Sequence, residues 1–209
     1  MTETEVEPIN TPLRRTTSFL SAALTDRILT LNRAAERIAQ GELDTRVVAQ
    51  VKLEVAGFGD PITGQLLSLP DQGEARLNRL HLQRGRWPAP YSADQAVVSD
   101  TFADAHGLRP GDRIAAIING KKKPLTLVGV ALSPEYVYQI APGAMFPDFQ
   151  RYGVLWMGRH ALAVAYGMDG AFNRVALSLA PGASEATVIE RLDSLLAPYG
   201  GVGAYGRKD

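Results

Sequence analysis

Residues 96–132 read AVVSDTFADAHGLRPGDRIAAIINGKKKPLTLVGVAL, and the fold is decided there. An apolar strand (Ala96-Val97-Val98) leads into a short helix, Ser99 to His106. Gly107 suits the left-handed position that closes a helix, with Leu108 as the apolar residue just beyond it. Arg109-Pro110-Gly111-Asp112 then supplies a fixed φ followed by a free one, as a tight turn requires. Asn119-Gly120, between Ile114–Ile118 and Leu125–Val130, is the strongest short-range signal for a β-hairpin. The stretch predicts strand, helix, turn, strand, hairpin, strand, and it carries no reactive constellation.

Working outward, the period-two pattern is cleanest at Val47 to Val55. Val47, Ala49, Val51, Leu53 and Val55 alternate with Arg46, Gln50, Lys52 and Glu54, which predicts a strand with one buried face. Gly57 to Gly64 turns the chain and Gln65 to Leu69 returns beside it. Before this strand, Arg33 to Gln40 reads as a helix ended by Gly41, while Phe19 to Leu31 is ambiguous between helix and strand. Residues 1–16 are polar and read as a loose arm.

The other end repeats this grammar. Val175, Leu177 and Leu179 alternate along a strand that stops at Pro181-Gly182. Ser184 is a good N-cap with Glu185 in the first turn, and Val188, Ile189, Leu192, Leu195 and Leu196 form one helix face up to Pro198. The expected architecture is α+β: a sheet with helices on one face built from both chain ends, residues 17–84 and 171–209. Residues 85–170 form an inserted, mostly β subdomain. Beyond the hairpin, that insert holds a strand (Tyr152 to Met157) and a short helix (His160 to Tyr166).

Composition excludes several functions. The chain has 209 residues, 45% hydrophobic and 21% charged, with 22 basic and 22 acidic side chains, so a nucleic-acid binder with its basic excess is not expected. Cysteine is absent, which removes disulfides, thiolate catalysis and cysteine-bound zinc. His81, His106 and His160 are widely spaced and lack metal-ligand pairing, and no G-x-S-x-G elbow is present. Gly201-Val202-Gly203-Ala204-Tyr205-Gly206 has the dinucleotide spacing without the helix that must follow it. Gly59 to Gln65 resembles a phosphate loop until Gln65 replaces the lysine. No catalytic residue, metal or cofactor is expected. Lys121-Lys122-Lys123 offers charge for a phosphate or anionic lipid, but a hairpin tip is solvated in any case and three lysines there keep the turn from aggregating, so the solvated tip is the preferred reading.

The loop Ser133 to Asp148 is too long and too apolar to be a passive connector. Tyr136, Tyr138, Met145 and Phe146 are the expected partner contacts, since such residues are enriched where proteins meet. The competing reading makes the same loop a lid over the insert's own sheet.

Several pieces together resemble one family: Leu77-Asn78-Arg79-Leu80-His81-Leu82, Arg84-Gly85-Arg86-Trp87-Pro88, Val97-Val98-Ser99, Ala105 to Asp112, Leu132 to Val137, and Leu195 to Gly201. The combination is similar to the periplasmic domain of MacB/FtsX-like ABC transporter permeases, over roughly residues 33–206. The resemblance implies a porter-like subdomain whose halves flank an inserted β subdomain. It also implies a place on the periplasmic face of the inner membrane, between two membrane helices absent from this sequence, which would make the chain a fragment. The implied partners are an ATP-binding subunit, reached through those helices, and an adaptor protein or a lipid-linked or exported substrate, with a dimer in the full transporter. The implied role is non-catalytic transmission of motion. Two other classes stay open: a small enzyme with its cleft between the subdomains, and a cytoplasmic interaction module.

Overall fold

The computed structural model describes residues 42–199. The elements run β1 (Leu43–Arg46), β2 (Val48–Glu54), β3 (Ile62–Leu69), β4 (His81–Gly85), β5 (Gln95–Ser99), α1 (Asp100–His106), β6 (Arg113–Ile118), β7 (Lys121–Leu132), β8 (Tyr152–Gly158), α2 (Arg159–Ala165), β9 (Arg174–Leu177) and α3 (Glu185–Leu196). The expected helix at Arg33–Gln40, the segment Phe19–Leu31, the arm and the glycine-rich run 201–206 lie outside the described residues.

The central stretch folds as its residues dictate. Gly107 closes α1 with φ 66°, and the N–H of Leu108 donates to the carbonyl of Ala103 at 2.8 Å. Asp112 N–H returns to Arg109 C=O at 3.0 Å across the Pro110-Gly111 turn. Asn119 and Gly120 both have positive φ, 47° and 73°, the signature of a two-residue hairpin between β6 and β7.

β7 then serves two neighbours in succession. Lys121–Thr126 pairs with β6, and Thr126–Ala131 pairs parallel to β5. This handover closes β2, β3, β8, β5, β7 and β6 into a ring, with β4 attached outside along the end of β7. Closure leaves those ring strands without the free edges that promote aggregation.

Inside the ring sit Val51, Leu53, Leu66, Val98, Ile114, Leu127 and Leu155, joined by Phe102 of α1 and Leu162 of α2. On the opposite face Leu67, Val97, Ala131, Val154 and Trp156 form a second apolar layer. Strands buried on both faces read as unbroken apolar runs, which is why Ala96-Val97-Val98 and Val154 to Met157 do not alternate.

The chain ends do meet in a sheet, but with a different strand. β1 pairs antiparallel with β9, from Leu43 opposite Leu177 to Arg46 opposite Arg174. Val188 and Leu192 of α3 pack with Leu43, Val175 and Leu177 into a small separate core. The side-chain oxygen of Ser184 accepts from Thr187 N–H at the helix start, as its sequence predicts.

The expectation that Val47–Val55 shares this sheet with Val175–Leu179 is corrected: β2 belongs to the ring and pairs with β3 and β6. β3 and β4, also within 17–84, lie in the same seven-stranded sheet as the strands of 85–170. The physical reason is the break at Val47. Its N–H donates to the Ser68 hydroxyl at 2.9 Å, and the chain leaves one sheet for the other there.

Candidate functional site

The loop after β7 presents two faces, and its residues divide between them. Tyr136 and Ala141 pack onto the outer apolar layer, with the Tyr136 ring edge-on to Trp156 at 6.3 Å between centroids. Gln139 is buried; it accepts from the Ser99 hydroxyl at 2.9 Å and donates to Thr101 Oγ1 at 2.6 Å. These anchors hold the loop down as the lid reading expected. Outward, Val137, Tyr138, Ile140, Met145 and Phe146 are exposed, with Tyr138 at 73%, Met145 at 84% and Phe146 at 76%. These are apolar side chains that the loop leaves open to solvent.

The four expected contact residues therefore do not share one face of the loop. Tyr138, Met145 and Phe146 face solvent, whereas Tyr136 is committed inward. Its hydroxyl accepts from Gln65 Nε2 at 2.8 Å and from the Arg174 guanidinium at 2.7 Å. Burial, followed by the nearby charge of Glu135, pushes the Tyr136 hydroxyl well above the usual phenol range despite Arg174. Tyr152 donates to Gln65 Oε1 at 2.7 Å and is likewise raised by burial. Gln65 is thus a strand residue joining two tyrosines.

The stem of the loop reaches the chain-end sheet through Glu135, which sequence reasoning overlooked. Its carboxylate accepts from Arg46 at 2.6 Å and from Arg174 at 3.5 Å, and from the Asn78 amide at 3.2 Å. The Arg46 side chain is 9% exposed, and it also donates to Leu77 C=O at 3.1 Å. A usable signal existed in the sequence: Glu135 is the single charged residue from Ser133 to Pro147.

Further polar ties join the same two layers. The Asn173 amide accepts from Val48 N–H at 2.8 Å and donates to Val48 C=O at 2.7 Å, standing in for a strand backbone. Arg159 donates to the carbonyl and hydroxyl of Thr45, both at 2.8 Å. Asp44 accepts from Leu77 N–H at 2.6 Å. Where a hydrophobic interface would be fixed by shape, this junction is fixed by directional bonds.

The histidines stay apart. His106 lies edge-on to Phe58 and against Phe102, His160 touches the Tyr91 ring, and His81 is exposed on β4. Among the described residues no group of three His, Cys, Asp or Glu side chains is placed to hold a metal ion. The lysine tip is largely exposed, with Lys122 paired to Glu54. No helix among the described residues is long and apolar enough to cross a membrane.

Solved structures similar to this chain share little of its sequence. The extracellular domain of the noncanonic ABC-type transporter YknZ from Gram-positive bacteria is 13% identical, covering 78% of this chain and 80% of its own, with a TM-score of 0.48. The periplasmic region of MacB from Actinobacillus actinomycetemcomitans is 12% identical, covering 76% of this chain and 66% of its own, with a TM-score of 0.42. A permease-protein domain from Porphyromonas gingivalis is 13% identical, covering 76% and 73%, with a TM-score of 0.39. Comparison with curated proteins gives no match. The family described as the MacB-like periplasmic core domain matches residues 8–195, nearly the whole chain, and the protein belongs to that family.

Proposed function

We propose that this chain is the extracytoplasmic domain of an ABC transporter permease, and that it binds a partner and transmits motion without catalysing a reaction. Membership of the MacB-like periplasmic core domain family supports the placement. One observation carries the rest: the loop that exposes Tyr138, Met145 and Phe146 is tied at its stem, through Glu135 and Tyr136, to Arg46 and Arg174 of the chain-end sheet. A partner seated on the loop and whatever moves the chain ends then act on one connected set of groups.

In this reading the chain ends lead to membrane helices and onward to a cytoplasmic ATP-binding subunit. The loop meets an adaptor protein or a lipid-linked or exported substrate, and two copies act together in the whole transporter. The reading favours a binding role over the enzyme alternative because the junction cleft is lined by arginines and one carboxylate, Asp44, already held by two backbone N–H groups. That set offers no acid–base pair.

Site-specific photocrosslinking in cells producing the entire permease tests this reading. A photoreactive residue at position 138 or 145 is expected to give discrete adducts that depend on ATP turnover, while one at Lys121 is not. Equal adduct patterns at all three positions would defeat the assignment of the loop as the contact surface.

A further inference from the structure

A cleft of about 290 Å³ opens where β1 meets the chain after β3 and the start of α2, and its charged lining is Asp44, Arg46, Arg76 and Arg159. Three guanidinium groups share this space with one carboxylate. Asp44 is already occupied, its two oxygens accepting from the N–H groups of Arg76 at 3.3 Å and Leu77 at 2.6 Å. Arg46 is occupied as well, by Glu135. Two cations remain.

Arg159 is half-buried and donates to neutral acceptors alone: Thr45 C=O and Oγ1 at 2.8 Å each, and Ala171 C=O at 3.4 Å. No carboxylate among the described residues forms an ion pair with it. Burial lowers its affinity for the proton, opposed by the charge of Asp71, which does not line the cleft. Arg76 is exposed at the rim, and its guanidinium has no partner among the described residues. A guanidinium presents five N–H donors, and the three bonds made by Arg159 leave two of them.

We propose that this cleft is an oxyanion site that takes a phosphate group, with Arg159 as the inner donor and Arg76 as the outer one. Arg76 and Arg159 outnumber the one carboxylate of the lining, so the cleft attracts an anion, and a planar fork of donors fits phosphate oxygens in pairs. Ser68 and Thr45 also line the cleft and add hydroxyls to it. The volume exceeds that of a bare phosphate, leaving room for the start of an ester substituent. Phosphate could arrive free or as the headgroup of a phospholipid, and the chemistry at the arginines is the same. The proposal stands apart from the apolar loop and does not depend on it.

The test uses the whole chain at low ionic strength. Inorganic phosphate is titrated calorimetrically, and vesicles of phosphatidylcholine with and without phosphatidic acid are assayed by flotation. Arg76→Ala removes a side chain that holds nothing in place and is expected to weaken binding about tenfold, as loss of a charge-assisted bond does. Arg159→Gln should weaken it at least as much, and Arg109→Ala, on the distant turn before β6, should leave it unchanged. Saturable binding of phosphate and of phosphatidic acid vesicles, both reduced by Arg76→Ala, identifies a headgroup site. Binding of free phosphate alone, with the same variant pattern, identifies a site for a soluble phosphate compound. Absence of saturable phosphate binding, or equal losses in Arg109→Ala and Arg76→Ala, overturns the proposal.

Discussion

Arg46 and Arg174 face each other as partners in the β1–β9 ladder, and the carboxylate of Glu135 reaches both, at 2.6 Å and 3.5 Å. Like charges directly opposite on neighbouring strands repel. The ladder tolerates this pair because a third element supplies the counter-charge, and Tyr136 adds a hydroxyl acceptor for Arg174 at 2.7 Å. The chain-end sheet is in this sense incomplete without the loop.

Removing that carboxylate should therefore cost more than an exposed ion pair would. Glu135→Ala leaves the buried Arg46 facing Arg174 without compensation, and a loss of about 2–3 kcal/mol is expected. Glu135→Gln keeps the shape and should lose less. Urea unfolding of the three proteins measures this; a Glu135→Ala midpoint equal to that of the parent would contradict the clamp.

Tyr136 and Tyr138 should separate cleanly. Tyr138→Ser, Met145→Ser and Phe146→Ser alter exposed side chains and should change stability by less than about 0.5 kcal/mol while weakening partner association. Tyr136→Ala opens a gap against Trp156 and abandons Arg174 and Gln65, so a loss of about 3 kcal/mol is expected. Thermal unfolding distinguishes them, and an unfolding temperature for Tyr136→Ala like that of Tyr138→Ser would show that the inner tyrosine is not structural.

Gly64 and Gly153 stand opposite each other on the parallel strands β3 and β8. A methyl group at Gly64 would lie 2.6 Å from Leu53 Cδ1, and one at Gly153 would lie 3.0 Å from the same atom and from the Phe102 ring. Leu53 is buried and would have to shift within a filled interior, so Gly64→Ala should cost about 2 kcal/mol by overfilling the ring. Leu53→Ala alone should cost about 3 kcal/mol as a cavity. The double variant should lose markedly less than the sum, because the added methyl occupies the space vacated. Strict additivity in chemical denaturation would rule out this shared volume.

Alkali should loosen the loop before it affects the rest. Burial raises both Tyr136 and Tyr152 above the ordinary phenol value near 10, so the folded state holds their protons more tightly than the unfolded state does. Their contribution is fully present below about pH 10 and fades as pH rises beyond it. Tyr136→Phe should flatten that decline at some cost in stability at neutral pH. Unfolding free energies measured across the alkaline range test the sign; stability that rose with alkalinity would refute it.

The parts of this fold written in local chemistry were legible. Asn119-Gly120, Gly107 and Pro110-Gly111 fixed their turns because each demands a backbone conformation that few other residues accept. β1 was not legible. Asp44, Thr45 and Arg46 look like solvent-facing residues, and their partners, Leu77 N–H, Arg159 and Glu135, come from three distant segments. The same distance hid the sheet boundary at Val47, since a period-two pattern says which side of a strand is buried but not beside which strand it lies. Within the loop, the aromatic content pointed to the exposed surface. The opposite facing of Tyr136 and Tyr138 depended on Trp156 and Arg174, which no short window contains.

The direction of the β1–β9 ladder sets how it would yield to tension. The strands are antiparallel, so the chain enters β1 at Leu43 and leaves β9 at Leu177 from the same end. A pull applied to both termini would peel the rungs open singly, at low force, instead of shearing them all together. Peeling would begin at Leu43–Leu177 and arrive last at Arg46–Arg174, where Glu135 acts as the stop of the zipper.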